Sequence, residues 1–309
     1  MSDNFLPPEA RDLKFSSEQQ CVDTLFRARW PDGYRCPSCS HSQYYCIQTR
    51  KLPLYECCSC SFQTSIIAGT IMEGSRTSLT RWFYAMYLLA QPDGISSRRL
   101  SQVIQVTYKT AWLISRKIRH ALERSDSIKL LIGNVRIETF NYGYEYYTDA
   151  RQPLLIGASI NLHNQTDQIK IKQPSPVHIN NDYRKIKQAG YAEFINKHLH
   201  TTGLPIVGKP MKSKPVLTPV KRAVCAWLNE TFRGIGPKHL QAYLDEFCFR
   251  YNVQLQQNCP FAPLLQHCAS TRTATYKQLT RRKSVLPHPW FAFGSKARWK
   301  GKHLSAWSY

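Results

Sequence analysis

The sequence predicts an α+β multidomain protein, and three observations predict it. Two Cys-x-x-Cys pairs stand between Cys36 and Cys60. From Thr77 the apolar residues recur at helical spacing, and beyond residue 130 three strand-like runs precede a series of amphipathic helices. Periods of 3.6 and 2 call for different elements, so the chain reads as a cysteine module, a helical module and an α/β domain in succession.

The cysteine module is the most specific. Cys36-Pro-Ser-Cys39 and Cys57-Cys-Ser-Cys60 are separated by seventeen residues. That spacing lets two knuckles close tetrahedrally on one Zn²⁺, which makes the segment a zinc ribbon. The expected ligands are Cys36, Cys39, Cys57 and Cys60. Cys58 is the weaker choice, since pairing it with Cys60 leaves one residue inside the knuckle. Four thiolates leave no position for water, so this zinc is structural. A redox Cys-x-x-Cys would instead be a single pair beside a βαβ pattern. Tyr44, Tyr45, Ile47, Leu54 and Tyr55 supply its strands.

Around the ribbon the helices declare themselves. Residues 15 to 30 carry a Ser cap, Glu18 in the first turn, and Cys21, Leu25 and Phe26 at helical spacing. Leu79, Trp82, Phe83, Met86 and Leu89 make a broad apolar helix stopped by Gln91-Pro-Asp-Gly94. A short helix capped by Ser96 follows, then a tight connection at Gln105-Val106 and a longer helix from Thr107 to about Leu122. This is a helix-turn-helix. Its second helix would offer Thr107, Tyr108, Lys109 and Thr110 to base edges, and Arg116, Lys117 and Arg119 to phosphates. The same residues also suit a plain helical hairpin in which Ala111, Trp112, Ile114 and Ile118 pack.

Strands are expected at 130–139, 153–160 and 167–172, then helices at 182–188 and 192–198. A basic, Pro-rich loop spans 203–219, and helices cover 220–232 and 237–251. The tail from Arg281 holds seven basic residues, no acid, and interleaved Trp and Phe. Such a segment suits phosphate contact with stacking, or equally a solvated arm. The expected domains are an N-terminal helix (1–30), the ribbon (31–75), the helix-turn-helix region (76–125), the α/β domain (126–258) and a basic C-terminal segment (259–309).

Charge narrows the partners. The chain has 42 Lys and Arg against 20 Asp and Glu, a net +22, which favours a polyanion, nucleic acid first. A merely basic surface is the bland alternative. No run approaches the roughly 18 apolar residues of a membrane span, and the acidic, mixed N-terminus is unlike a signal peptide. The seven cysteines outside the ribbon pairs form no framework, which points to an intracellular protein.

Read in order, Trp30-Pro-Asp-Gly-Tyr-Arg-Cys-Pro-Ser-Cys39, Leu54-Tyr-Glu-Cys-Cys-Ser-Cys60, Trp82-Phe-Tyr-Ala-Met-Tyr-Leu-Leu89, Tyr108-Lys-Thr-Ala-Trp-Leu113 and the run Gly234 to Asn252 resemble the insertion-sequence transposases of the ISXO-type, or IS fifteen-ninety-five, family. The resemblance covers residues 15 to 280. It implies a zinc ribbon, a helix-turn-helix and an RNase-H-like domain whose carboxylates hold two Mg²⁺ or Mn²⁺ ions for DNA cleavage and strand transfer. It also implies double-stranded DNA as partner, including insertion-sequence terminal repeats, a multimer or an active relative as companion, and a cytoplasmic, nucleoid-associated, bacterial setting.

Two hard cations need oxygen ligands. At the positions matching the family's three, this chain has Glu138, His178 and Ala223. Glu138 is one methylene longer than Asp, and a misplacement of about 1 Å can cost ~100-fold. Imidazole is a poor Mg²⁺ ligand and Ala223 has no ligand atom. Asp182 is a candidate substitute, with Glu230 more remote. Asp245 and Glu246 are expected as a helix-capping or salt-bridging pair of the closing helix. The leading expectation is therefore a DNA-binding protein of transposase descent that has lost phosphoryl transfer. The alternatives are an active transposase with a rearranged site, and a zinc-stabilised protein-interaction scaffold.

Overall fold

A computed structural model describes residues 17–143, 151–180, 185–208 and 216–281. The chain divides into two compact units, Met1–Ala121 with Pro260–Leu279, and Leu122–Cys259 with Thr280–Tyr309.

In the first unit, helix α1 (Glu18–Arg29) opens with a capping box: Ser17 Oγ accepts from Gln20 N–H, and Gln20 Oε1 accepts from Ser17 N–H. Strands β1 (Tyr44–Ile47), β2 (Leu54–Cys57) and β3 (Gln63–Ser65) form an antiparallel sheet in that order. Phe26 and Trp30 join Tyr34, Tyr44 and Tyr55 in one ring cluster, with centroids 4.7 to 6.1 Å apart. The Arg29 guanidinium lies 4.3 Å from the Trp30 ring centre and donates to the carbonyls of Ser65 and Ile66. Helix α1 is thus packed onto the ribbon rather than standing as a separate N-terminal part.

Helix α2 (Leu79–Ala90) lacks a side-chain cap from its own Ser78. The Glu18 carboxylate replaces it, accepting from the N–H groups of Leu79 at 2.9 Å and Thr80 at 3.2 Å. An anion at a helix start satisfies orphan donors and meets the favourable end of the dipole. Leu79, Trp82, Phe83, Met86 and Leu89 are buried, each stabilising the fold by about 1.5–3 kcal/mol. Ser96 caps the short α3 (Ser97–Val103), and Gln105, at φ 47°, turns the chain into α4 (Tyr108–Ile128). Helix α4 runs six residues past Leu122, where its apolar pattern has ended.

The segment after 259 begins as ordered structure, which corrects the expectation of one basic segment. Helices α8 (Phe261–Ser270) and α9 (Tyr276–Thr280) follow it. Ile71 N–H donates to the Cys268 carbonyl and Thr273 Oγ1 to the Ile71 carbonyl, both at 3.1 Å, so residues 260–279 complete the first unit.

The second unit is built on a four-stranded sheet. Strands β4 (Asn134–Tyr142), β5 (Gln152–Ile160) and β6 (Thr166–Lys172) form an antiparallel meander. Strand β7 (Leu204–Val207) adds parallel to β4, giving the order β6-β5-β4-β7. Strand β7 falls where the sequence reads as loop, since four residues including Pro205 carry too little pattern. Helix α5 (Gln188–His198) covers one face, with Phe194 among Leu131, Val135, Ile137 and Leu155. Gly157 permits this: a Cβ there would come within 2.7 Å of the Phe194 ring. Helices α6 (Thr218–Phe232) and α7 (Pro237–Leu255) cover the opposite face with Leu154, Ile156, Ile169 and Ile171. The helix expected at 182–188 is absent where described: Ile186 bridges Ile179 and helix begins at Gln188.

Ion pairs knit this unit. Asp126, in the last turns of α4, meets Lys170 at 2.9 Å and Lys172 at 2.6 Å, and Lys172 also meets Asp245 of α7 at 2.6 Å. Glu246 pairs with Arg250 one turn on. Asp245 and Glu246 are therefore salt-bridging residues, as expected. Among the described residues no helix is long and apolar enough to cross a membrane.

Candidate functional site

The two cysteine knuckles repeat one geometry. Ser40 and Ser61 both take positive φ, at 63° and 55°, and donate their N–H to the carbonyls of Cys36 and Cys57 at 2.9 Å. Cys36 N–H then reaches the His41 carbonyl, and Cys57 N–H that of Phe62. These turns bring four sulfurs within 4.8 Å of one another, with Cys36 to Cys60 at 3.6 Å and Cys39 to Cys57 at 3.5 Å. Four sulfurs about 2.3 Å from a tetrahedral zinc stand ~3.8 Å apart, so the set fits the ion closely. Cys58, whose N–H bonds the Gln43 carbonyl, stands outside the cluster. Burial raises the Cys36 thiol, but the backbone N–H groups of Cys39 and Ser38, with the Cys60 and Cys39 thiols, outweigh it and bring it down to about 6. Zinc held by Cys36, Cys39, Cys57 and Cys60 would fix both knuckles and leave no site for chemistry.

At the start of α4, Thr107 Oγ1 accepts from Thr110 N–H at 3.3 Å, and Tyr108 is 52% exposed beside exposed Thr107 and Lys109. Thr107, Tyr108 and Lys109 are thus open to solvent, and Thr110 is half-buried. Arg116, Lys117 and Arg119 do not: they are 5%, 8% and 1% exposed. Arg116 donates to the Leu279 carbonyl, so the side of α4 expected at phosphates is partly covered by the α9 segment. The expectation of three open phosphate contacts is corrected accordingly.

The family metal positions are not brought together. Glu138 is 6% exposed on β4, and its Oε2 accepts from Lys221 Nζ of α6 at 2.5 Å. Residues two apart on a helix point some 200° apart, so with Lys221 turned to Glu138 its neighbour Ala223 is turned out, and it is exposed. His178 pairs with Glu193 of α5, at 3.1 Å, in the layer that covers the other face of the sheet. Asp182 lies outside the described residues, and Glu230 is exposed. Among the described residues, the four cysteines are the one group of three or more His, Cys, Asp or Glu that could hold a metal. Sequence reasoning missed Lys221, which lies 83 positions from its partner and announces itself by no local motif.

A four-cysteine ribbon built this way defines a zinc-binding module. Residues 16–63 match the family model described as "transposase zinc-ribbon domain". The chain is also 32% identical, over 128 residues, to an uncharacterised protein in the transposable element ISH50 of Halobacterium salinarum. That match spans 41% of this chain and 42% of the relative, less than half of either protein. No solved structure matches the chain. Together with the four-cysteine geometry, these findings show a transposase zinc ribbon at residues 16–63 and a likeness to an insertion-element protein over part of the chain.

Proposed function

We propose that this protein binds double-stranded DNA through the ribbon and the start of α4 while lacking metal-dependent phosphoryl transfer. The observation that carries the proposal is the Lys221 ammonium bound to the Glu138 carboxylate. A divalent ion needs that carboxylate free and negative, and an ammonium within hydrogen-bond distance both neutralises it and repels the ion. The sheet order β6-β5-β4-β7, with Glu138 on the central β4 and α6 against its face, supports an RNase-H-like ancestry in which Lys221 replaces the metal. The +22 net charge and the exposed Thr107, Tyr108 and Lys109 support DNA as the partner, and with it a nucleoid setting. Insertion-sequence ends and a second copy or active relative are the partners that descent suggests.

Titrating labelled duplex DNA across salt concentrations tests the binding. The log–log slope should steepen by nearly one unit for each phosphate neutralised. Absence of binding at low salt would favour a protein-interaction scaffold. Mg²⁺- or Mn²⁺-dependent nicking lost in Glu138→Ala would favour a rearranged active site.

A further inference from the structure

A cleft of about 730 Å³ opens in the first unit beside the start of α4. Its lining includes Arg76, Tyr108, Lys109, Trp112, Lys117 and Tyr276. Two features separate it from ordinary surface. Lys117 is 8% exposed, and among the described residues its ammonium makes no hydrogen bond or ion pair. Desolvation lowers its pKa, opposed only by the field of Glu73. The Lys117 stem is buried while the cation lines the cleft, where an anion meets it at lower effective dielectric than in open water. The rings are the second feature: Tyr108 and Tyr276 are 52% and 63% exposed, and the Trp112 and Tyr276 centroids lie 5.7 Å apart. Exposed rings beside a sequestered cation match a ligand that joins a flat π-face to a phosphate.

We infer that this cleft takes one nucleotide unit, its phosphate on Lys117 and its base against Tyr276 and Trp112, and that the source is an unpaired nucleotide of bound DNA. A stacked duplex shields its base faces, whereas an extrahelical nucleotide presents one. The inference rests on the DNA-binding reading but adds a site to it: Tyr108 and Lys109 meet the duplex while the cleft receives what the duplex releases.

The test uses the full-length, zinc-loaded protein with three probes: a perfect 20-bp duplex, the same duplex with one extrahelical thymidine, and thymidine 5′-monophosphate alone. Fluorescence anisotropy follows the duplexes and tryptophan quenching follows the nucleotide. The extrahelical duplex should bind roughly tenfold more tightly than the perfect one, one stacked base's worth. Lys117→Met should abolish that preference, and Tyr276→Leu, at a ring 63% exposed, should reduce it likewise. Both variants should keep the affinity for perfect duplex. Equal affinity for the two duplexes, with no quenching by the nucleotide, overturns the cleft assignment and leaves the DNA-binding reading standing. Preference retained in both variants overturns it too. Quenching by the nucleotide, lost in Lys117→Met but without duplex preference, keeps the site and makes its source a free nucleotide. Failure with all three probes removes the site and the DNA-binding reading together.

Discussion

Replacing Glu138 by Ala would separate a structural ion pair from a metal ligand. Glu138 is 6% exposed and the Lys221 side chain 13%, so the substitution leaves an ammonium largely shielded from water with no counter-charge. Removing one partner of a buried pair costs about 3–5 kcal/mol. Lys221 retains some solvent and a contact with the Thr139 carbonyl, so a loss of about 2–3 kcal/mol is expected here. Exchanging both residues in Glu138→Leu with Lys221→Met should recover most of it, because apolar isosteres often match a buried pair. Hydrogen-exchange mass spectrometry on peptides covering β4 and α6 reads the opening free energy of this unit directly, avoiding the two-state assumption that a two-unit chain violates. Without divalent metal, a metal-ligand carboxylate would be neutral or stabilising to remove, and in the intact protein Mg²⁺ would increase protection. Either result would refute the pairing as the reason for the proposed loss of phosphoryl transfer.

Three further outcomes follow from the same contacts. Cys39→Ser and Cys60→Ser should each lower bound zinc well below one ion per chain and open the ribbon, while Cys58→Ser keeps full stoichiometry, as read by metal analysis of the purified protein. Glu18→Ala should destabilise the first unit by about 1 kcal/mol, since two α2 donors lose their acceptor, and Glu18→Gln by less, measured by protection of the 79–90 segment. Burial opposes ionisation of Asp126, but Lys172 and Lys170 outweigh it and hold the carboxyl below its usual range. A depressed carboxyl stabilises the fold above its unfolded value near ~3.9 and loses that contribution as pH falls through the folded value. The second unit should therefore weaken below about pH 4, and Asp126→Asn should flatten that acid limb in circular dichroism; burial lifts Asp245 despite Lys172, so Asp245→Asn should not flatten it.

Much of this architecture was legible because it is local. Cys36, Cys39, Cys57 and Cys60 announce themselves by spacing alone. The Ser17 and Ser96 caps and the apolar faces of α2 and α6 follow from residues within a turn or two of each other. What escaped depends on contacts distant in sequence. The last turns of α4 carry no apolar stripe and end beside Asp126, which Lys170 and Lys172 engage from β6. Arg116, Lys117 and Arg119 read as a polar face, yet they are buried, and only the fold reveals that the Leu279 carbonyl meets Arg116. Strand β7 exists because β4 offers it an edge, not because Leu204-Pro-Ile-Val207 insists on it. The metal positions show the same limit. Counting along α6 gave Ala223, whereas the residue that meets Glu138 is Lys221, two positions earlier and on another face of the helix.

The central claim is a protein that keeps DNA binding and has lost the reaction, and nicking of supercoiled plasmid by the zinc-loaded protein tests it most directly. With Mg²⁺ or Mn²⁺ present, the account predicts no cleavage by the native protein in a preparation that binds the plasmid and holds one zinc per chain. Metal-dependent nicking that Glu138→Ala abolishes would contradict it and assign Glu138 to a working site.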